Sequence, residues 1–315
     1  MDLTVSRLSS ALIAGLPVLL LGATAVTWLA VGRALSPVER IRLHASAIGA
    51  DQLARRVPVP RSRDEVAKLA VTMNNMLARL EASAVRQQQF VGDASHELRS
   101  PLTALQAQLD VALAYPESTD SALVFTRLRQ QSQRMAELIE DLLFLARTDE
   151  TDASDTTPPR NARVDLDELV LHEFHRLRDL GATVTITHVN AAAVAGSDRD
   201  LARLLRNLCD NAMAHASEHI EIGLTIEGTD AIITVSDDGP GIPVENRDTI
   251  FARFARLEQH RARTGNSGGT GLGLAIAREI ATMHHGHIRV CERSDGEQGA
   301  VFTVQLPLAG NQEQT

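Results

Sequence analysis

Between Val91 and Leu145 the chain carries two apolar stripes that repeat every seven residues, and a single helix cannot bury such a stripe alone. The first stripe reads Val91, Leu98, Leu105 and Ala112, interleaved with Ser95, Leu102 and Leu109. The second reads Leu128, Met135 and Leu142, interleaved with Gln131, Leu138 and Leu145. Tyr115-Pro116-Glu117-Ser118 interrupts the pattern, so this stretch is predicted to be a helical hairpin. A seam on each arm asks for a second copy of the chain and a four-helix bundle, hence a homodimer.

The same constraint recurs upstream. After Pro37, the residues Val38, Ile41, Ala45 and Ile48 fall at spacings of three and four; Pro58 and Pro60 mark a non-helical connector. From Asp64-Glu65 a second helix carries Val66, Leu69, Met73, Met76 and Leu80. Passing from Leu80 to Ser95 needs an extra step of four, a stutter that locally unwinds a coiled coil.

Ahead of these helices, no charged residue occurs from Ser9 to Gly32, and residues 11–31 are apolar enough to cross a bilayer in contact with lipid. Arg33, Arg40 and Arg42 follow the run while only Arg7 precedes it, which places the C-terminal side in the cytoplasm of a single-pass protein of the inner membrane. A cleaved secretory signal, with Ala23-Thr24-Ala25 as small residues, is the other reading. The formal charge of −9 excludes a general nucleic-acid binder, which needs a basic face. Cys209 and Cys291 lie far apart and outside any metal spacing, as free thiols of a reducing compartment would.

Residues 151–162 read as a linker, and beyond them the pattern turns to mixed helix and strand. Strands are expected over Thr183–Val189, Ile220–Ile226, Ala231–Ser236, His287–Glu292 and Ala300–Leu306. Helices are expected over Leu166–Leu180, Asp198–His215 and Leu272–His284, giving an α/β sandwich of one domain.

Four strings carry chemistry. With Ser95 and Leu98 on the seam, His96 lies one step off it, where a ring nitrogen is accessible, and Glu97 can orient that ring or take its proton. Asn207 and Asn211 are four apart, so both amides share a helix face and can direct oxygens to one hard cation. Asp237 ends a strand and opens Asp237-Asp238-Gly239-Pro240-Gly241, where a carboxylate can accept an amino group inside an apolar pocket. Gly268-Gly269-Thr270-Gly271-Leu272-Gly273 runs into a helix, a place where backbone N–H groups meet phosphates. Taken one at a time, each has an ordinary structural reading: a solvated His-Glu pair, a polar helix face, an Asp-Gly turn and a glycine loop. His172, His175, His215, His219, His284, His285 and His287 lack a completing cysteine or carboxylate in sequence and read as structural rather than as zinc ligands.

Together the strings resemble the bacterial two-component sensor histidine kinases. Phe90–Leu102 resembles the H-box, Leu204–Ala212 the N-box, Asp237–Ile242 the G1 box, Ile250–Phe254 the F-box and Gly268–Leu274 the G2 box, in the family's order. The pair of short helices after the anchor resembles a HAMP relay. The resemblance implies a multidomain fold: tail and transmembrane helix 1–32, all-α HAMP 33–85, dimerisation and phosphotransfer hairpin 86–150, linker 151–162, α/β sandwich ATP-binding domain 163–308 and tail 309–315.

It implies autophosphorylation of His96 from Mg-ATP and transfer to an aspartate of a response-regulator receiver domain, with Glu97 and Ser100 as catalytic neighbours. ATP is expected against Asn207, Asn211, Asp237, Gly239, Gly241, Phe251, Arg253, Phe254, Gly269, Thr270, Gly271, Leu272 and Gly273, with magnesium on the two asparagines. Arg261 and Arg263 fall in the expected ATP lid. Ser100 stands where the family commonly has Thr or Asn, and Ala214 where it has a basic residue. Two rivals share parts of the pattern: an ATPase of the gyrase and chaperone type, and a non-catalytic dimeric scaffold.

Overall fold

The computed structural model describes residues 19–33, 36, 38–39, 41–43, 54–60, 65–115, 121–151, 162–255, 270–293 and 296–310. It divides into two compact units, residues 1–91 and 92–315.

In the first unit, residues 19–33 form helix α1, whose Leu19, Leu21 and Trp28 are exposed. Among the described residues no helix is long and apolar enough to cross a membrane; residues 11–18 of the expected span lie outside them. A small core gathers Ile41, Val57, Ala70 and Leu77, with Val66 and Met73 packed on it. Of the expected seam, Val66 and Met73 join this core, and Leu69, Met76 and Leu80 are exposed in the single chain, as residues left for a second copy would be. Val57 of the connector is drawn in because the Asn74 side chain bonds its backbone at both ends. Val57 N–H donates to Asn74 Oδ1 at 2.8 Å, and Asn74 Nδ2 donates to the Val57 carbonyl at 3.0 Å.

Helix α2 runs unbroken over Glu65–Ala114 and has Pro101 inside it. Proline has no N–H, so the Glu97 carbonyl loses its helical partner, and the ring crowds that turn. The Thr103 hydroxyl donates to the Arg99 carbonyl at 2.9 Å, adding a bond beside the gap. Leu98, Leu105 and Ala112 are half-buried, and Ser95, Leu102 and Leu109 are exposed. Helix α3 spans Ser121–Thr151. Its Leu138, Leu142 and Leu145 are buried, Asp141 pairs with Arg203, and the Arg203 guanidinium stands 4.7 Å from the Phe144 ring centre.

The α/β part starts with β1 (Arg163–Asp165), helix α4 (Leu166–Asp179), β2 (Thr183–Val189) and β3 (Ala193–Ala195). Helix α5 (Asp198–His215), β4 (His219–Glu227), β5 (Asp230–Asp237), helix α6 (Gly273–Met283), β6 (His287–Cys291) and β7 (Ala300–Pro307) follow. Five strands form one sheet in the order β2-β4-β5-β7-β6, parallel only between β2 and β4; β1 and β3 pair antiparallel in a small second sheet. Three residues each are too few to show alternation, so that small sheet was not expected.

Alternation sets the core. Ala231, Ile233, Val235 and Asp237 share one face of β5, opposite Leu306, Val304, Phe302 and Ala300 of β7. Against that face lie the apolar stripes of α5 (Leu201, Leu204, Leu208) and α6 (Ile276, Ile280), all buried. Ser197 caps α5 by accepting the Asp200 N–H at 3.3 Å, and Asp198 and Asp200 suit the positive end of the helix.

Candidate functional site

Asp237 ends β5 on the helix-covered face and is 2% exposed. Burial pushes its carboxyl above the usual range; the Gly239 and Ala300 amides and Arg293 oppose this, and Asp238 adds to it. Gly239 N–H donates to Asp237 Oδ1 at 3.0 Å. A buried carboxylate held by backbone amides is a directional acceptor in apolar surroundings. Phe251 lies buried nearby in sequence order on a short turn, Thr249–Phe251, with its ring edge-on to Phe302 at 6.3 Å. Phe302 pairs with Val235 two residues before Asp237.

Glycine is required at 239 by crowding: a Cβ there would lie 2.4 Å from the His215 carbonyl oxygen. The end of α5 therefore rests directly on this turn. Asp238 completes the junction. Its carboxylate accepts the N–H groups of Ser217 at 2.7 Å, Glu218 at 3.1 Å and His219 at 3.0 Å. Desolvation is the largest single influence and raises its pKa, but the backbone amides together outweigh it and hold the carboxyl below the usual range.

Asn207 and Asn211 lie on α5, both half-buried. A Cβ on Gly273, at the start of α6, would be 3.5 Å from Asn207 Oδ1, so this amide faces the N-terminus of α6. Asn207 Nδ2 is buried and has no hydrogen-bond partner. An unpaired buried amide is costly, and such groups are commonly completed by water, ion or ligand. A hard cation takes amide oxygens, and Asn207 and Asn211 supply two on one helix face; the Asn207 Oδ1, turned to the start of α6, gives that fit an observation, while the orphaned Nδ2 is a donor and suits a phosphate oxygen rather than the cation.

At the other end of the loop, Gly271 has φ of 73° and its Cα packs so closely that a Cβ would come within 3.0 Å of the Phe254 backbone. Phe254 has φ of 59° and its N–H donates to the Gly271 carbonyl at 2.9 Å. Residues 254 and 271 thus close a neck. Gly269, Arg261 and Arg263 lie outside the described residues. Thr270 Oγ1 accepts the Leu272 N–H at 3.4 Å, Leu272 is fully buried, and Arg253 and Gly241 are half-buried.

His96 is exposed on α2, Glu97 beside it is half-buried, and Ser100, one turn on, is exposed. Asn207 meets Gly273, Asp237 meets Gly239, and Gly271 meets the Phe254 backbone, three close contacts around α5, β5 and the start of α6. His96, Glu97 and Ser100 lie on α2.

The motifs did not point to His284 or Glu173. His284 is 5% exposed, donates from Nδ1 to the Ile280 carbonyl at 2.8 Å, and accepts the Ser197 N–H at Nε2 at 3.2 Å. It ties the end of α6 to the start of α5. Nothing in the histidine spacing marks it, but Gly196 does: a Cβ there would fall 2.2 Å from the His284 ring. Glu173 is a charge on an apolar stripe with Val170 and Leu177, a signal that was legible.

Three family models match the chain: "HAMP domain" at residues 29–82, "His Kinase A (phospho-acceptor) domain" at 86–151, and "Histidine kinase-, DNA gyrase B-, and HSP90-like ATPase" at 196–310. Sensor protein CutS of Streptomyces coelicolor is 36% identical over 88% of this chain and 66% of its own length. The signal transduction histidine-protein kinase/phosphatase MprB of Mycolicibacterium smegmatis is 33% identical over 89% of this chain and 57% of its own. This chain therefore spans somewhat under two thirds of the length of these relatives. Among solved structures, histidine kinase ThkA in complex with response regulator protein TrrA shares the fold, with a TM-score of 0.54 and 19% identity over 78% of this chain and 68% of that one.

Proposed function

Because the chain belongs to the sensor histidine kinases of two-component systems, we propose that it uses ATP to phosphorylate its own His96 and passes the phosphoryl group to a receiver-domain aspartate. The observation that carries this reading is the pairing of an exposed histidine, one step off a helix seam, with a separate cleft whose buried Asp237 and orphaned Asn207 amide await polar partners.

Within that reading Asp237 accepts the adenine amino group, Phe251 walls the base, and the N-terminus of α6 with Thr270, Gly271, Leu272 and Gly273 turns N–H groups to the phosphates. Gly239 and Gly241 let the base approach the backbone; Arg253 and Phe254 set the base of the lid, in which Gly269 falls. Asn207 and Asn211 hold magnesium, which, when bound, neutralises phosphate charge and keeps the γ-phosphate in line. Neutral His96 is the nucleophile: its ring nitrogen forms the N–P bond as the bond to the ADP oxygen breaks. Glu97 orients the ring and takes its proton. Ser100 contributes a hydroxyl toward dephosphorylation of the partner.

A homodimer is supported by the exposed seam residues Leu102 and Leu109 on α2. Anchoring in the cytoplasmic membrane through residues 11–31, in a single pass with the kinase domains in the cytoplasm, is supported by the HAMP match that begins at residue 29, at the end of that run. The test is incorporation of label from γ-labelled ATP. His96→Gln should abolish acid-labile, base-stable phosphate while nucleotide binding persists; label retained in that variant would refute the acceptor, and ATP hydrolysis without any phosphoprotein in the unaltered chain would favour the gyrase-type reading.

A further inference from the structure

Glu173 stands outside every motif named above, yet among the described residues it and Asp237 are the buried carboxylates, each 2% exposed. Its Oε2 accepts Arg176 Nε at 2.5 Å, and its Oε1 accepts Arg206 Nε at 3.4 Å. Arg176 also reaches across from α4 to α5, where Nη2 donates to Asp210 Oδ1 at 2.6 Å. Two rungs therefore join the helices, one at 206 and one at 210, a helical turn apart.

Those positions matter because each directly precedes an asparagine. Arg206 comes before Asn207 and Asp210 before Asn211, so each amide lies about 100° round the helix from an anchored side chain. Apolar packing alone is non-directional and tolerates a small rotation of α5 about its axis. A ladder of charged hydrogen bonds at two successive turns does not. A leucine at 173 would fill the apolar stripe without the desolvation that a carboxylate suffers there.

We propose that Glu173 and Arg176 are positioning residues that fix the rotation of α5 and so aim Asn207 and Asn211 at their shared cation. The inference rests on the reading of those asparagines as the magnesium pair. It concerns the coupling between metal and nucleotide rather than the affinity for either one alone.

The experiment measures ADP binding to the full chain by calorimetry, with magnesium and again in excess chelator, and takes the ratio of the two Kd values. Glu173→Gln and Arg176→Lys should each reduce that ratio about five-fold, one hydrogen bond's worth, while affinity in chelator stays within about two-fold. Asn211→Ala sets the fully uncoupled value, and adding Glu173→Gln to it should change nothing further, as expected of a residue acting through another. Glu173→Leu leaves the Arg176 and Arg206 guanidiniums without their carboxylate, so its Tm should fall; the folded variant should lose the coupling while affinity in chelator is kept, which a merely structural role would not produce. If Glu173→Gln does not fold, Arg176→Lys decides. An unchanged ratio in variants that melt like the parent overturns the proposal, as does an equal loss with and without magnesium. A parent chain with no magnesium dependence would instead overturn the metal reading itself, and this proposal with it.

Discussion

Replacing Asp237 by asparagine should make the empty protein more stable and its nucleotide complex weaker. The carboxylate has two oxygens, and the structure already commits one: Gly239 N–H donates to Oδ1, with the Ala300 amide acting on the same group. Asparagine offers a single oxygen. If it serves Gly239, an NH2 faces the adenine amino group; if it serves adenine, that NH2 faces the Gly239 N–H. Either way one donor meets a donor in a buried place. Losing one hydrogen bond to a charged group is worth about 1.5–3 kcal/mol, which weakens Kd about 10- to 150-fold. The stability effect has the opposite sign. Burial holds this carboxyl above its usual range, so its ionised form costs folding free energy at neutral pH, a cost fully absent below the unfolded carboxyl's own pKa. The Tm gain of Asp237→Asn should therefore be largest at neutral pH and shrink as pH falls through the raised pKa towards the ordinary carboxylate range. Calorimetric titration with ADP and thermal melts from neutral to acid pH read both effects. An ADP affinity within about two-fold of the parent would remove Asp237 from the base site, and a Tm difference that did not vary with pH would refute the buried-charge argument.

Other expected outcomes come from equally local contacts. Ser100→Ala should slow dephosphorylation of a phosphorylated partner regulator while sparing autophosphorylation, and Ser100→Thr, with a stiffer side chain, should quicken it about several-fold; equal decay with every variant and with no kinase would refute the role. Gly271→Ala combines a positive φ with contact against the Phe254 backbone, so it should cost about 1–3 kcal/mol and lower Tm by several degrees in a thermal melt. Asp238→Ala removes the acceptor of three amides and should cost about 1 kcal/mol after solvent screening. Because the folded pKa of Asp238 is depressed, that loss should be full above the unfolded value and vanish as pH falls through the folded one, as a pH series of melts would report.

The glycine strings and the Asn207–Asn211 spacing were legible because they are local: backbone freedom and a helical repeat leave their mark within a few residues. The same holds for β2, whose bounds Thr183–Val189 match the expected strand, and for α5. What the sequence hid is what depends on distant partners. The packing of Gly239 on the His215 carbonyl and of Gly196 on the His284 ring joins residues far apart in the chain. The hold of Asn74 on the Val57 backbone, 17 residues away, is another such contact. Helix α2 passes unbroken through Pro101, although proline lacks the N–H that a helix interior uses.

The neck between Phe254 and Gly271 has a consequence for how this domain tolerates change in its own length. With Phe254 N–H bonded to the Gly271 carbonyl, positions 254 and 271 are held together whatever number of residues separates them in sequence. Closing a flexible loop grows dearer only logarithmically, about 0.6 kcal/mol for each doubling. A reporter peptide inserted between 254 and 271 should therefore leave the core undisturbed, whereas one added methyl group at Gly271 reaches the Phe254 backbone that forms the neck.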